Sequence, residues 1–566
     1  MLTGTQGPKP PGRAWRKAAI TLVAAAQFAS AAWSQVERRP VSGRFGGEIT
    51  VPIASDPQTL NPVLATDSAS QLLASLTMGD LMHINARTLE VEPALATGVE
   101  HRSPRVWVIH LRRGVQFSDG APFSAQDVAF SFQVYTDPKI DAPERQLLTA
   151  GGKPVHCTVL DAATVELDLP ATVAVGDRLL DSVWMLPRHL LEHAYQTGQL
   201  ARAWGPDTDP RELAGLGAFR LAAFQPGREV VLERNPNYWR SDGSGRALPF
   251  LDRMRLRVVS DPNLRLTLFV RGQVDGLDAL SSADYARLSS DRCCRLLDAG
   301  AGLNTEVLVL NQALPATRAW FGQLRFRQAV SQALDRDNLA RGVYRGLARP
   351  LASLTSPSAG PWADPTPPTP VNDALAAAGL RQAGFQLRSQ GLFDAQGRRV
   401  AFSLIVPASN EARMQMAVFI QEDLRRVGID VEVTPLDFAS YLDRLTHRAD
   451  FEAALVGIQI PDADPNEESN LWPLDGPWHF WNPHPRSPAP WEVELDRLFR
   501  EQLGTPDPAL RLRLYRRLQA IEHAQLPLIP LLAPDVLVGV NPGLEGAAAA
   551  LLPPHLLWNA EVLHWR

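Results

Sequence analysis

The feature that most constrains the fold of this chain is an alternation of helical and strand patterns between residues 372 and 433. A helical stretch at 372–384 is followed by strand-like VAFSLIV, by a helix that ends in LRRVGI, and by strand-like IDVEV. Alternation of this kind is typical of an α/β unit, in which helices pack on a sheet. The sequence therefore predicts a mixed α/β fold.

Local signals in the rest of the chain support the same class. Alternating apolar residues predict strands at 49–53 and 107–111, and Pro226-Gly227 between two such runs predicts a hairpin. Ser124 followed by an aspartate three positions later resembles a capping box at the start of a helix. In RFRQAVSQALDRDNL, residues 325–339, apolar side chains recur at helical spacing, which predicts one more helix.

Composition narrows the functional classes. The chain has 566 residues, of which 45% are hydrophobic and 21% charged, as in an ordinary globular protein. Its formal net charge of −5 argues against nucleic acid as a partner.

The N-terminus has the pattern of a secretory signal peptide. Arg13, Arg16 and Lys17 precede an uncharged run from Ala18 to Trp33 that ends in small residues. The run is shorter than the ~20 apolar residues that span a bilayer, although a membrane anchor remains the alternative. We predict cleavage between residues 31 and 36 and export to the periplasm.

Catalytic motifs are scarce. The segment His189–His193, HLLEH, matches the H-x-x-E-H pattern in which two histidines one helical turn apart bind zinc. A five-residue pattern with two free positions arises easily by chance, so we interpret it as a surface helix. The chain has no G-x-S-x-G elbow and no glycine-rich dinucleotide fingerprint after a strand. We therefore expect a binding protein without catalytic residues, metal or cofactor.

An aromatic segment, WPLDGPWHFWNPHP at 472–485, is too proline-broken for a helix. Its tryptophans are either core residues or the lining of a ligand site. A metal site built from Asp475, His479 and His484 is a further alternative, but their spacing matches no standard site.

Several blocks together resemble one family. They are SDPQTLNPVLATDS, RVWVIHLRRGVQFSDGAPFSAQDVAFSF, GLGAFRLAAFQPGREVVLERNPNYWR, ALPFLDRMRLRVV and LRFRQAVSQALDRDNLARGVYRGLARP. In this order they resemble the dipeptide/oligopeptide class, family 5, of ABC-transporter solute-binding proteins. The likeness extends over nearly the whole chain after the signal segment.

The resemblance implies a two-lobe periplasmic-binding-protein-like α/β fold with an extra domain inserted in the first lobe. We expect a signal peptide at 1–34, first-lobe segments at 35–87, 206–311 and 526–566, the inserted domain at 88–205 and the second lobe at 312–525. It also implies a monomer that captures a peptide or similar small solute by hinge closure and delivers it to an ABC permease in the inner membrane.

The resemblance bears on the ligand as well. In peptide-binding members, an aspartate three residues before an acid-proline pair holds the peptide amino group. Here Asp464-Pro465 supplies the pair, but Pro461 occupies the anchor position and Asp462 is displaced by one. A solute other than a peptide therefore stays open. The candidate ligand-binding residues are Asp462, Asp464, Trp472, Trp478, Trp481 and Asn311, the last at the end of strand-like TEVLVLN.

Two rival functions remain open at this point. The first is a secreted zinc metallopeptidase that uses the HLLEH segment. The second is a ligand sensor that does not take part in transport.

Overall fold

The computed structural model describes residues 40–150, 152–290, 293–483 and 485–566. The signal peptide expected at 1–34 lies outside these residues, as does His484. Within the described ranges, every helix is too short or too polar to cross a membrane.

The first lobe is built on two four-stranded sheets that share one hydrophobic core. In spatial order, the strands of one sheet are Glu48–Ile53, Arg253–Val258, Glu229–Arg234 and Phe219–Gln225. Those of the other are Ala96–His101, Val106–Leu111, Thr164–Asp168 and His156–Asp161. The second sheet falls within the predicted inserted domain, yet its Trp107 and Val165 belong to the same core as Ile49 and Leu232.

Local sequence signals explain several of these elements. The backbone N–H of Ser124 donates to the Asp127 carboxylate at 2.9 Å, which completes the predicted capping box of helix Ala125–Thr136. Gly227 takes a φ of +74°, a left-handed conformation that glycine adopts without strain, in the predicted hairpin. Both predictions are confirmed.

A long strand, Ile529–Val540, connects the two lobes. Its first residues pair with Thr305–Leu310, which in turn pairs with Ala453–Ile458 of the second lobe, and its last residues pair with Arg295–Ala301 and Gly276–Leu277. The resulting eight-stranded sheet also contains Ala348–Pro350, Ala401–Pro407, Asp430–Leu436 and Ala453–Ile458.

Both faces of this sheet are covered in the second lobe. Leu308 and Leu310 lie in one hydrophobic core, while Val307 and Val309 lie in another, as the alternation of a strand requires. Strands Ala401–Pro407 and Asp430–Leu436 are parallel neighbours joined by helix Glu411–Arg426. This arrangement confirms the α/β unit that the sequence predicts.

The remaining elements complete the two lobes. Other α-helices are Ser68–Thr77, Arg188–Gln196, Pro262–Val270, Ser282–Leu288, Arg318–Phe321, Leu324–Ala333, Arg336–Tyr344, Asp373–Gln382, Phe438–Leu442, Pro490–Leu503 and Pro508–Gln525. Short two-stranded pairs are Met82–Ile84 with Val91–Pro93, Thr149–Ala150 with Lys153–Pro154, Gln386–Arg388 with Gly391–Phe393, and Leu544–Glu545 with His564–Trp565.

One predicted helix is divided. The stretch at 325–339 contributes to two helices that meet at Leu334 and Asp335. The Asp335 carboxylate accepts from the backbone N–H of Asn338 at 2.9 Å and so begins a new helix. The two-lobe α/β class is confirmed, whereas the predicted domain boundaries stay a prediction.

Candidate solute-binding site

A cavity of about 610 Å³ lies between the lobes. Most of its wall comes from the first lobe, including the segment after helix Ser68–Thr77, residues 173–184 and residues 552–561. The second lobe closes one side with the loop of residues 461–469. Because both lobes contribute to the wall, an occupant of this cavity would contact both of them at once.

The sequence explains the shape of the second-lobe loop. The strand Ala453–Ile458 ends just before Pro461, and a short 3₁₀ helix then spans Pro465–Glu468. The Asp464 carboxylate caps this helix by accepting from the backbone N–H of Asn466 at 2.9 Å. Pro465 suits the first helical position because it has no N–H to satisfy.

Asp464 is held by a buried arginine of the second lobe. Arg511 makes a two-pronged contact with the carboxylate, with one hydrogen bond of 2.7 Å to Oδ2 and a second to Oδ1. Its other donors reach Gln502 Oε1 at 2.8 Å and Asn466 Oδ1 at 2.7 Å. Asp464 lines the cavity, but its charge is already neutralised by this pairing.

Asp462 makes a contact between the lobes. Its carboxylate pairs with the guanidinium of Arg178, a first-lobe residue that also donates to the Leu89 carbonyl oxygen. Burial raises the pKa of Asp462, and the charge and hydrogen bond of Arg178 oppose that rise. Arg511 adds a second contact between the lobes by donating to the Ala174 carbonyl oxygen at 3.2 Å.

Two glutamates of the wall differ from these paired acids. Glu467 follows Asp464 on the second-lobe loop, and Glu144 lies in the first lobe. Burial raises the pKa of Glu467 to about 7, and the like charges of Asp462 and Asp464 add to the rise. Burial also raises the pKa of Glu144 to about 7.

A histidine between two aspartates forms the third charged group of the wall. His83 Nδ1 lies 2.8 Å from Asp80 Oδ2 and 3.4 Å from Asp181 Oδ1. Burial alone would lower the pKa of His83, but the charge of Asp80 and hydrogen bonds to both carboxylates raise it to about 10. One potential ligand atom from each residue lies within 4.8 Å of the others, a spacing that suits a metal ion.

The aromatic part of the wall comes from the first lobe. It contains Trp184, Tyr238, Trp239 and Trp558. The guanidinium groups of Arg112 and Arg240 each lie 4.7 Å from the ring centroid of Trp239, so cation–π contacts fix this ring.

Comparison with known proteins decides the family. Residues 90–480 match the family described as bacterial extracellular solute-binding proteins, family 5 middle. The chain belongs to this family. It is therefore a solute-binding protein, and the interlobe cavity is its candidate ligand site.

Relatives extend over nearly the whole chain. Heme-binding protein A of Haemophilus influenzae is 25% identical over 546 residues, which cover 94% of this chain and 95% of the relative. The dipeptide-binding protein of Escherichia coli is 23% identical over 529 residues, covering 89% of this chain and 93% of the relative.

A solved structure supports the same fold. The ABC transporter substrate-binding protein CtaP of Listeria monocytogenes superposes with a TM-score of 0.78 at 20% identity. The alignment covers 92% of this chain and all of that one.

The predicted tryptophans of this solute-binding protein lie in the second lobe. Trp472 and Trp481 are fully buried in a hydrophobic core, and the half-buried Trp478 packs against the same core. Trp472 Nε1 donates to Glu468, and Trp481 Nε1 donates to Glu492 Oε1 at 3.1 Å. None of the three is among the described residues that line the cavity. Their contact with a ligand stays a prediction.

Asn311 is also buried and outside the cavity wall as described. Its Nδ2 donates to the carbonyl oxygens of Ala449 at 3.1 Å and Phe451 at 3.0 Å. These bonds tie the end of strand Thr305–Leu310 to the loop before Ala453. Of the predicted residues, the structure thus brings only Asp462 and Asp464 to the cavity, and their role toward a ligand stays a prediction.

The HLLEH segment forms the predicted surface helix, Arg188–Gln196. His193 is exposed, and His189 Nε2 lies 2.7 Å from Asp119 Oδ2. The prediction that these histidines do not bind zinc stays a prediction.

Sequence reasoning missed the aromatic wall and the two glutamates, Glu144 and Glu467. One usable signal was present, because Asn235-Pro236-Asn237 ends a strand directly before Tyr238 and Trp239. Trp184 and Trp558 have no such local signal, since they reach the cavity from distant parts of the chain.

Proposed function

We propose that this solute-binding protein is the extracytoplasmic receptor of an ABC importer and that it captures a peptide or similar small solute by closure of its lobes. The observation that carries the proposal is the interlobe cavity, whose wall contains residues of both lobes. A solute in it favours the closed arrangement to the extent that it contacts both walls. Relatives named for the binding of dipeptides and of heme support a small solute of this kind.

The chain works as a monomer that passes its solute to a permease in the inner membrane. Export to the periplasm is supported by the charged start, short apolar run and small-residue end of its first 34 residues. The absence of catalytic motifs in the sequence agrees with a receptor rather than an enzyme. N-terminal sequencing of the exported protein should give a first residue between positions 31 and 36.

Mass spectrometry tests the central claim. The protein is purified without denaturant from the periplasm of the cells that produce it, and the mass of the intact complex is measured by native mass spectrometry. We expect a retained solute whose release changes the fluorescence of the cavity tryptophans Trp184, Trp239 and Trp558. A protein that carries no solute and binds none from a periplasmic extract would contradict the proposal.

A further inference from the structure

The charges of the cavity wall define the chemistry of its occupant, given the solute-binding function proposed above. Among the described residues, the wall contains seven carboxylates but only two guanidiniums. The carboxylates belong to Asp80, Glu144, Asp181, Asp462, Asp464, Glu467 and Glu561. The wall therefore has an excess of negative charge in a partly desolvated space, where charges act more strongly than in water.

Most of these acids already have partners. Arg178 pairs with Asp462, and Arg511 behind the wall neutralises Asp464. On the first-lobe side, Arg240 Nη1 lies 3.1 Å from Glu561 Oε1. Further along the wall, His83 contacts Asp80 and Asp181, and its imidazolium offsets part of their negative charge.

Glu467 and Glu144 remain. Among the residues that the structure describes, no cationic nitrogen lies within 4.0 Å of either carboxylate, the limit for an ion pair. Glu144 Oε2 is buried without a hydrogen-bond partner in the same set. Glu467 is half-buried beside two other acids, and only the charge of Arg178 acts on it favourably, from a greater distance.

An unpaired, partly buried carboxylate is unfavourable, so it either takes up a proton or pairs with a cation that a ligand supplies. We infer that the solute carries a positively charged group, an ammonium or a guanidinium, that pairs with Glu467, and that Glu144 provides a second acidic contact from the opposite lobe. Positive charge on the solute thus attracts a carboxylate from each lobe and favours closure. The aromatic wall near Trp239 suits the apolar part of such a solute.

Glu467 thus replaces Asp462 and Asp464 as the expected anchor of the ligand. The first two have arginine partners in the protein itself, so a ligand cation would have to compete with Arg178 or Arg511. Glu467 lies three residues after Asp464 in the same loop and offers a carboxylate without that competition.

The test compares charged and neutral probes of the same shape. Calorimetry measures binding of N-acetyl-Ala-Arg and of N-acetyl-Ala-citrulline, in which a neutral urea replaces the guanidinium, so that the guanidinium is the one cation that distinguishes the two dipeptides. Native mass spectrometry identifies the solute that is retained by the wild-type protein. The variants are Glu467→Gln and Glu144→Gln, with Glu432→Gln as a matched control at an exposed position of the second lobe.

We expect the retained solute to carry a positive charge and N-acetyl-Ala-Arg to bind more tightly than N-acetyl-Ala-citrulline. Glu467→Gln should lower the affinity for the cationic solute roughly five- to twelvefold, because the amide keeps an acceptor oxygen and loses only the charge-assisted part of the hydrogen bond. Glu144→Gln should have a smaller effect in the same direction, and the control should bind as wild type does.

Four outcomes would overturn the inference. A retained solute that is neutral or anionic contradicts the charge assignment while leaving the solute-binding function in place. Equal affinity of wild type for the two dipeptides, or unchanged binding of a cationic solute by Glu467→Gln, contradicts the anchor. If no solute is retained and neither dipeptide binds, both the inference and the proposed function fail.

Discussion

Replacing Asp462 should weaken the closed arrangement of the lobes. The carboxylate of Asp462 pairs across the cavity with Arg178, and the two side chains retain only 13% and 18% of their exposure. In an open arrangement both groups would be hydrated separately. The substitution therefore destabilises the closed form and leaves the open form nearly unchanged.

The structure supports a graded magnitude. A charge-assisted hydrogen bond contributes about 1.5–3 kcal/mol, and a neutral one about 0.5–1.5 kcal/mol. Asp462→Asn keeps an acceptor oxygen and should lose about 1–1.5 kcal/mol, which lowers the ratio of closed to open protein roughly five- to twelvefold. Asp462→Ala removes the contact and should lower the ratio roughly tenfold to 150-fold.

Small-angle X-ray scattering of the free and solute-loaded proteins measures the change. We expect a larger radius of gyration in the order wild type, Asn variant, Ala variant. If the free wild type is already open, the same factors should appear as losses of affinity for the copurified solute. The thermal midpoint should change little, because Asp462 belongs to none of the three large hydrophobic cores.

The matched control is Asp475, which pairs with Arg500 on the surface of the second lobe with 80% of its side chain exposed. Its Asn and Ala variants should behave as wild type, since exposed ion pairs contribute little. Unchanged scattering and affinity in both Asp462 variants would refute the idea that this pair stabilises closure. So would equal effects at Asp475.

Three further predictions concern stability and zinc. Folding raises the pKa of Glu467 from about 4.5 to about 7, so the folding free energy should become less favourable as the pH rises through this range. Glu467→Gln should therefore raise the free energy of unfolding in urea by about 1–3 kcal/mol at pH 8 and hardly at pH 5. Equal gains at both pH values would contradict this prediction. Trp472→Ala should cost about 3–5 kcal/mol of unfolding free energy because it empties a core, whereas Trp239→Ala should mainly weaken solute binding; calorimetry and urea titration of both separate the two roles. Alanine at both His189 and His193 should leave metal content and solute affinity unchanged, and loss of one zinc per chain in the variant would disprove it.

The elements that could be predicted from sequence are those with a local cause. The capping box at Ser124 and the hairpin at Gly227 depend on residues within a few positions of one another. The division of the stretch at 325–339 was missed because apolar spacing continues through it. There the capping carboxylate of Asp335 decides the local structure, although periodicity alone favours a single helix.

The site was harder to predict for the opposite reason. Asp462 and Asp464 were found through the family resemblance, but nothing near them in sequence indicates Arg178 or Arg511 as partners. Trp558 reaches the cavity from the last residues of the chain. Contacts between such distant residues exist only after both lobes fold, so pattern and propensity carry no signal for them.

Three acids of one short loop therefore differ by partner rather than by chemistry. Asp464 has a buried arginine of its own lobe and positions the loop. Asp462 has an arginine of the other lobe and links the two lobes in the closed arrangement. Glu467 has no cation at ion-pair distance among the described residues, so its charge is neutralised by a proton or by a cationic occupant of the cavity. It follows that substitutions at these three positions should separate experimentally into losses of stability, of closure and of solute affinity, in that order.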